Sequence, residues 1–137
     1  AIDGERAKAE GTFAGGQRNH CRGVFPALSA GALYGGGQQV HCPPSVAASH
    51  RGIVERLLAN PHIQRLAGYA SEGFAYYFPH SYHHVCTHLR SLHGMLPYLR
   101  WPFTNSIYTG ATFNLGSVAV TLEHNDHTNY PTIPCSI

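Results

Sequence analysis

The sequence predicts an α+β fold, with helices first along the chain and a partial sheet after them. Between about Val46 and Leu96, apolar residues recur every three or four positions, a spacing typical of helices that bury one face. After Pro97 the pattern changes to short β-type segments separated by Asn, Gly and Ser. Helices followed by strands, rather than alternating with them, indicate an α+β domain whose helices flank the sheet.

The first 23 residues are expected to form an irregular or weakly helical N-terminal arm. They are rich in Gly, Ala and charge, and Ile2 and Phe13 are their only large apolar residues. Residues 24–137 then form one domain, because the length of the chain and its 43% hydrophobic content suffice for a modest core.

Three helices are predicted, and prolines mark the start of two of them. The first runs from about Val46 to Ala59. Pro61 opens the second, which ends near Phe78, and Pro79 opens the third, which ends near Met95. The residues expected on the three buried faces are, in order, Ile53, Val54, Leu57 and Leu58, then Ile63, Leu66, Ala67 and Ala70, then Tyr82, Val85, Leu89, Leu92 and Leu96.

The third predicted helix carries a stripe of histidines, His80, His84 and His88, one turn apart from each other. Two histidines at this spacing can chelate a transition metal. We interpret the stripe instead as a solvent-exposed flank, and expect His83 and His93 to be exposed as well.

Aromatic residues near the helices have two interpretations. Tyr76, Tyr77, Phe78 and Trp101 can stack on nucleic-acid bases, but apolar residues at helical spacing surround them. That spacing favours places in the core.

Four short strands are predicted after the helices: Trp101–Phe103, Ser106–Tyr108, Ala111–Leu115 and Val118–Glu123. The last leads to His124 and Asp126. Since strand residues i and i+2 share a face, this imidazole and this carboxylate can converge on one metal ion. A distant third ligand, a histidine, would complete the two-His-one-carboxylate set of non-haem Fe(II) oxygenases.

Six segments from about Phe25 onward carry a family resemblance: Leu28–Gln38, Ile63–Gly68, Phe74–Tyr82, Asn105–Ile107, Thr112–Gly116 and His124–Pro131. In their order and spacing they resemble the mushroom branch of the TET/JBP-like dioxygenases. Those are fungal 2-oxoglutarate/Fe(II) domains expected to oxidise methylated bases in nucleic acid. The resemblance implies N-terminal helices flanking a partial double-stranded β-helix, a jelly-roll-like sheet, and it matches His124 and Asp126 to the first two iron ligands.

The remaining site residues of that family follow later in its sequence. They are the distal histidine ligand and the arginine that binds the 2-oxoglutarate carboxylate. Because this sequence stops at Ile137, we expect a truncated dioxygenase-like domain that does not bind 2-oxoglutarate by itself. The expected cofactor is a divalent metal ion, and the sequence does not distinguish Fe, Zn, Mn and Mg.

The charge of the chain permits an anionic partner. The formal net charge is +2, and eight of the nine basic residues are arginines, Lys8 being the exception. Guanidinium groups suit phosphate contacts and stacking on bases. Arg51, Arg56 and Arg65 lie away from the apolar stripes of two neighbouring helices, so they are the candidate nucleic-acid-binding residues. We expect RNA rather than DNA as the partner.

Neither a membrane span nor a cysteine-based metal site is indicated. The chain contains no apolar run of transmembrane length and no signal segment, so we expect a soluble protein without a membrane partner. Its four cysteines are far apart and form no Cys-x-x-Cys pair. Cys86, beside Val85 and Leu89, is interpreted as a free thiol.

The favoured function is that of a metal-binding, nucleic-acid-directed hydrolase. His124 and Asp126 would hold an ion that activates water. In a metal-free alternative, His124 or His127 would act as a general acid or base. In size and charge the chain resembles the ribotoxin-like ribonucleases, small toxins of mushrooms. The alternatives are a dioxygenase-like fragment, inactive alone or completed by another chain, and a non-catalytic domain that binds metal or nucleic acid.

Overall fold

The structure is a computed structural model that describes residues 4, 7, 11–13, 19–20, 23–32 and 43–116 of the chain. In these residues the elements are β1 (Asn19–His20), β2 (Gly23–Val24), β3 (Ala27–Gly31), α1 (Ala48–Leu58), α2 (Pro61–Tyr77), α3 (Pro79–Met95) and β4 (Gly110–Asn114). This mixture confirms the predicted α+β class. The strands named form two antiparallel pairs, β1 with β2 and β3 with β4, and the double-stranded β-helix stays a prediction.

The pair of β3 and β4 joins two segments that are far apart in sequence. Its register runs from Ala27 opposite Asn114 to Gly31 opposite Gly110. On one face the hydroxyls of Ser29 and Thr112 lie 3.1 Å apart, whereas Leu28 on the other face is buried. The predicted strand Ala111–Leu115 is therefore confirmed to within one residue, while its partner β3 was not predicted.

Helix α1 packs against the buried face of β3 and forms the main core. The residues of this cluster are Leu28, Ala30, Ile53, Val54, Leu57 and Leu115. Three of the four residues predicted for the buried face of α1 belong to it, and the fourth, Leu58, packs at its edge. The periodicity of the first helix thus identified its core face.

The helix boundaries agree closely with the prediction. Pro61 and Pro79 both lie in the first turn of their helices, where a missing backbone N–H removes no helical hydrogen bond. The side chain of Asn60 caps α2 by accepting a hydrogen bond of 2.9 Å from the backbone N–H of His62. One residue, Phe78, separates α2 from α3.

Part of the N-terminal arm contacts α1. The ring of Phe13 stacks on the imidazole of His50, with centroids 4.2 Å apart and planes inclined by 20°. His50 is only 4% exposed, and its Nε2 lies 3.3 Å from the carbonyl oxygen of Thr12. A backbone partner and an aromatic neighbour account for this buried imidazole.

The predicted buried face of α2 is wrong for two of its four residues, whereas Ile63 and Ala67 are half-buried. Leu66 is 67% exposed and Ala70 is also exposed, whereas the fully buried residues of α2 are Gly68 and Ser71. The segment from Leu99 to Ile107 covers this face and binds it through polar contacts. An apolar pattern does not reveal such a face, because small and hydroxyl-bearing residues form it.

That covering segment contains two of the predicted strands, and both predictions are wrong. Residues 101–103 and 106–108 form no strand in the structure. Leu99, Phe103 and Ile107 are buried and anchor the segment, and the backbone N–H of Ile107 donates to Ser71 Oγ at 3.1 Å. The Ser71 side chain of α2 therefore supplies a hydrogen bond that a neighbouring strand would otherwise provide.

The predicted core position of the aromatic run before α3 is wrong as well. Tyr76, Tyr77 and Phe78 are 80%, 73% and 59% exposed. The five apolar residues predicted for the buried face of α3 are each half-buried, and none of the residues of α3, all of which are described, is fully buried.

Within the described ranges, no helix is long and apolar enough to cross a membrane.

Replacing Ser71 with alanine is expected to destabilise the fold by about 1–3 kcal/mol, because the buried N–H of Ile107 would lose its acceptor. Urea unfolding followed by circular dichroism measures this change. Ser91 is an exposed serine on α3, and Ser91→Ala should stay within about 0.5 kcal/mol of wild type. Equal stabilities of the two variants would show that the Ser71 contact does not hold the segment.

Candidate nucleic-acid interface

An open groove of about 1000 Å³ lies between α3 and the segment that follows it. Tyr82 and Leu89 from the apolar stripe of α3 line one side, and Leu99 and Ile107 contribute from the other segment. We call this the large groove. The groove accounts for the incomplete burial of these two residues of the stripe.

The large groove has a cationic lining. Arg90 from α3 and Arg100 from the following segment both line it and are exposed, as is His93. Among the described residues that line it, none is Asp or Glu. Between residues 43 and 116 the chain has five arginines and only two glutamates. A groove lined by one sign of charge attracts phosphate groups, and arginine holds them with paired hydrogen bonds.

An indole ring also lines this groove. Trp101 is half-buried, and its ring meets that of His93 edge to face, with centroids 5.2 Å apart. This contact, between α3 and the segment beyond its end, orients the indole at the groove. A tryptophan in this position offers a flat surface on which a base can stack.

A second, smaller groove of about 500 Å³ lies on α2. Arg65 and Tyr69 line it together with Glu72, and the Tyr69 side chain is 77% exposed. Asn105 lines both grooves, so the two adjoin at this residue. The small groove therefore repeats, on a neighbouring surface, the combination of an arginine and an aromatic ring.

Asn105 is fixed in place between the grooves by α2. Its Nδ2 donates a hydrogen bond of 3.0 Å to the backbone carbonyl of Gln64. Gly68 makes room for it, since a Cβ at that position would lie 2.6 Å from Asn105 Nδ2. A larger residue than glycine at position 68 would displace the Asn105 amide from the junction of the two grooves.

The predicted site residues fall in different places. Arg65 lines the small groove, whereas Arg51 and Arg56 are exposed on α1 and line neither groove. The predicted metal ligands and catalytic residues, His124, Asp126 and His127, lie outside the described residues.

Sequence reasoning did not select Arg90, Arg100 or Tyr69, and it assigned Trp101 to the core. A usable signal was present at the end of the third helix. Arg90 and Arg100 flank Pro97, where the chain leaves the helix, and Trp101 follows directly. A chain that folds back at such a proline brings the two arginines to one groove.

The predicted exposure of the helix histidines is confirmed for His80, His83, His84, His88 and His93. Cys86 is a free thiol, as predicted, and is half-buried in the large groove. In the part of the chain that the structure describes, no three His, Cys, Asp or Glu side chains come together as a metal site.

No protein-family model, curated protein or solved structure matches this chain.

Proposed function

We propose that this protein binds single-stranded RNA in the two adjoining grooves and hydrolyses it with His124, Asp126 and His127. The observation that carries the proposal is the lining of the large groove: two arginines from its two walls, an indole, and no carboxylate among its described residues. Proteins that bind single-stranded nucleic acid typically combine basic side chains, which contact the phosphate backbone, with aromatic rings on which the bases stack.

Single strands suit these grooves better than a duplex. Trp101 and Tyr69 offer ring faces to bases, and only unpaired bases can leave their own stack to reach them. Thr104 and Ser106 bring hydroxyl groups to the large groove. Such groups can bond the ribose 2′-hydroxyl, which distinguishes RNA from DNA.

The proposed chemistry rests on the spacing of His124 and Asp126 in the sequence. These two side chains would hold a divalent ion, and such an ion supplies an activated water or stabilises charge on the phosphate. His127 would act as the general acid or base that moves a proton at the attacking or leaving oxygen. Arg90 and Arg100 would hold the neighbouring phosphates of the strand.

The second candidate is a TET/JBP-like dioxygenase fragment, inactive alone or completed by another chain. The order and spacing of the six sequence segments, with His124-Asn-Asp126 among them, favour it. In that case the grooves would bind the nucleic acid, and a completed site would oxidise a base instead of hydrolysing the strand.

The products separate these candidates. Wild-type protein is incubated with a free RNA hairpin and with ribosomes, at two metal and two salt concentrations. A parallel reaction contains methylated oligonucleotide, 2-oxoglutarate, Fe(II) and ascorbate. We expect RNA fragments in the first set and no succinate in the second. Succinate without RNA fragments would instead support the dioxygenase, and intact RNA without succinate would leave a non-catalytic binding domain or a dioxygenase fragment that is inactive alone.

A further inference from the structure

The geometry points to a two-histidine metal site on α3, formed by His84 and His88 and suited to a transition-metal ion such as Zn²⁺ or Ni²⁺. The two residues are one helical turn apart and both are exposed. Their ring centroids lie only 4.1 Å apart, with the planes inclined by 42°. The proposal uses other residues than the His124-Asp126 pair and does not depend on RNA hydrolysis.

The hydrogen bond of His88 prepares its ring for a metal. His88 Nδ1 lies 2.8 Å from the backbone carbonyl oxygen of His84. Because a carbonyl oxygen only accepts hydrogen bonds, Nδ1 must carry the proton, and Nε2 of the neutral ring then carries the lone pair. Histidines that bind metals commonly donate their other ring N–H to a carbonyl or carboxylate in this way, which fixes the tautomer and the ring orientation.

The spacing of the two rings suits one ion. With metal–nitrogen bonds of about 2.0–2.1 Å and tetrahedral angles, the two nitrogens would be about 3.4 Å apart. Two rings bound to one ion in this way have centroids about 5 Å apart, so the two rings, whose centroids are 4.1 Å apart, would move apart by about 1 Å on binding. Both side chains are exposed, so an ion can reach them from solvent.

The donor atoms select the class of metal. Two imidazoles favour Zn²⁺, Ni²⁺ or Cu²⁺, whereas Mg²⁺ and Ca²⁺ prefer oxygen ligands. No third His, Cys, Asp or Glu completes the set among the described residues. Water, an external ligand or a residue from outside the described ranges would fill the other positions of the ion.

Calorimetric titration of the full chain with Zn²⁺ tests the site. His84→Gln and His88→Gln are compared with wild type, and His83→Gln, an exposed histidine of the same helix outside the pair, is the matched control. We expect each variant of the pair to lose one equivalent of Zn²⁺, or to bind it at least about tenfold more weakly, the loss that follows even from removing a hydrogen-bond partner of a ligand. His83→Gln and His124→Ala should keep this equivalent, and Mg²⁺ should not compete for it.

A second readout locates the ion directly. Cu²⁺ added below one equivalent should broaden the imidazole NMR signals of His84 and His88 before those of His62, an exposed histidine on α2. Circular dichroism checks that the helices of each variant are intact. Unchanged Zn²⁺ uptake in His84→Gln and His88→Gln, or an equal loss in His83→Gln, would overturn the proposal. Loss of all Zn²⁺ binding in His124→Ala would also overturn it, whatever the RNA assays show.

Discussion

Cleavage of RNA is expected to fall by about 100- to 10,000-fold in Asp126→Ala, while the protein still binds RNA and remains folded. Removal of the carboxylate takes away one of the two proposed ligands of the divalent ion. The water that attacks the phosphate then loses its activation, and a positioned acid or base alone commonly contributes a factor of this size. Gel analysis of an end-labelled RNA hairpin, under single-turnover conditions, measures the cleavage rate.

Glu123→Ala is the matched control for Asp126→Ala. Glu123 is an acid three positions earlier in the sequence, and on a strand it would face the opposite side from Asp126. Its variant should cleave RNA at the wild-type rate. Equal cleavage by wild type and Asp126→Ala would show that the cluster is not catalytic and that a contaminant or other residues cut the RNA. Equal losses of cleavage rate in both variants would indicate a general effect of removing a negative charge.

The helices were predictable because local signals determine their ends. Pro61 and Pro79 are compatible only with the first turn of a helix, and the Asn60 side chain caps the helix that Pro61 opens. The core face of α1 was predictable for a similar reason. Its neighbour is the apolar face of β3, so the usual periodicity of apolar residues applies.

The face of α2 and the segment after α3 were not predictable in this way. Gly68 and Ser71 are buried because a loop binds there through hydrogen bonds, and the contact joins residues far apart in sequence. The same loop takes the place of the predicted strands around Trp101 and Ile107. Local patterns do not show which distant segment will supply hydrogen bonds to a backbone.

The residues that line the two grooves were only partly predictable from the sequence. Arg65 was selected because it lies opposite the apolar stripe of its helix, and it does line the small groove. Arg90 and Arg100 come together only because the chain folds back after α3. Tyr69 was not chosen as a candidate binding residue, because an exposed tyrosine in an apolar helix has the same sequence pattern as a buried one.

The central claim is that the grooves bind single-stranded RNA. Two double arginine variants that lose the same number of charges test it. Arg90→Gln/Arg100→Gln removes two positive charges from the large groove. Arg51→Gln/Arg56→Gln removes the same number from α1, where the sequence pattern had also suggested nucleic-acid contacts. A non-specific electrostatic effect would weaken binding equally in both double variants. If Arg90 and Arg100 contact RNA inside the groove, only Arg90→Gln/Arg100→Gln would bind RNA more weakly.

Fluorescence anisotropy of a labelled single-stranded oligoribonucleotide, titrated with each protein at several salt concentrations, is the most direct measurement. For Arg90→Gln/Arg100→Gln we expect binding weakened by roughly a hundredfold, because each of the two lost charged hydrogen bonds costs about 1.5 kcal/mol. The slope of log affinity against log salt should also decrease in magnitude by about 1.4, for two single-strand phosphates no longer neutralised. Arg51→Gln/Arg56→Gln should retain nearly the wild-type affinity and slope. Wild-type affinity and slope in the groove variant, or equal losses in the two double variants, would contradict the account.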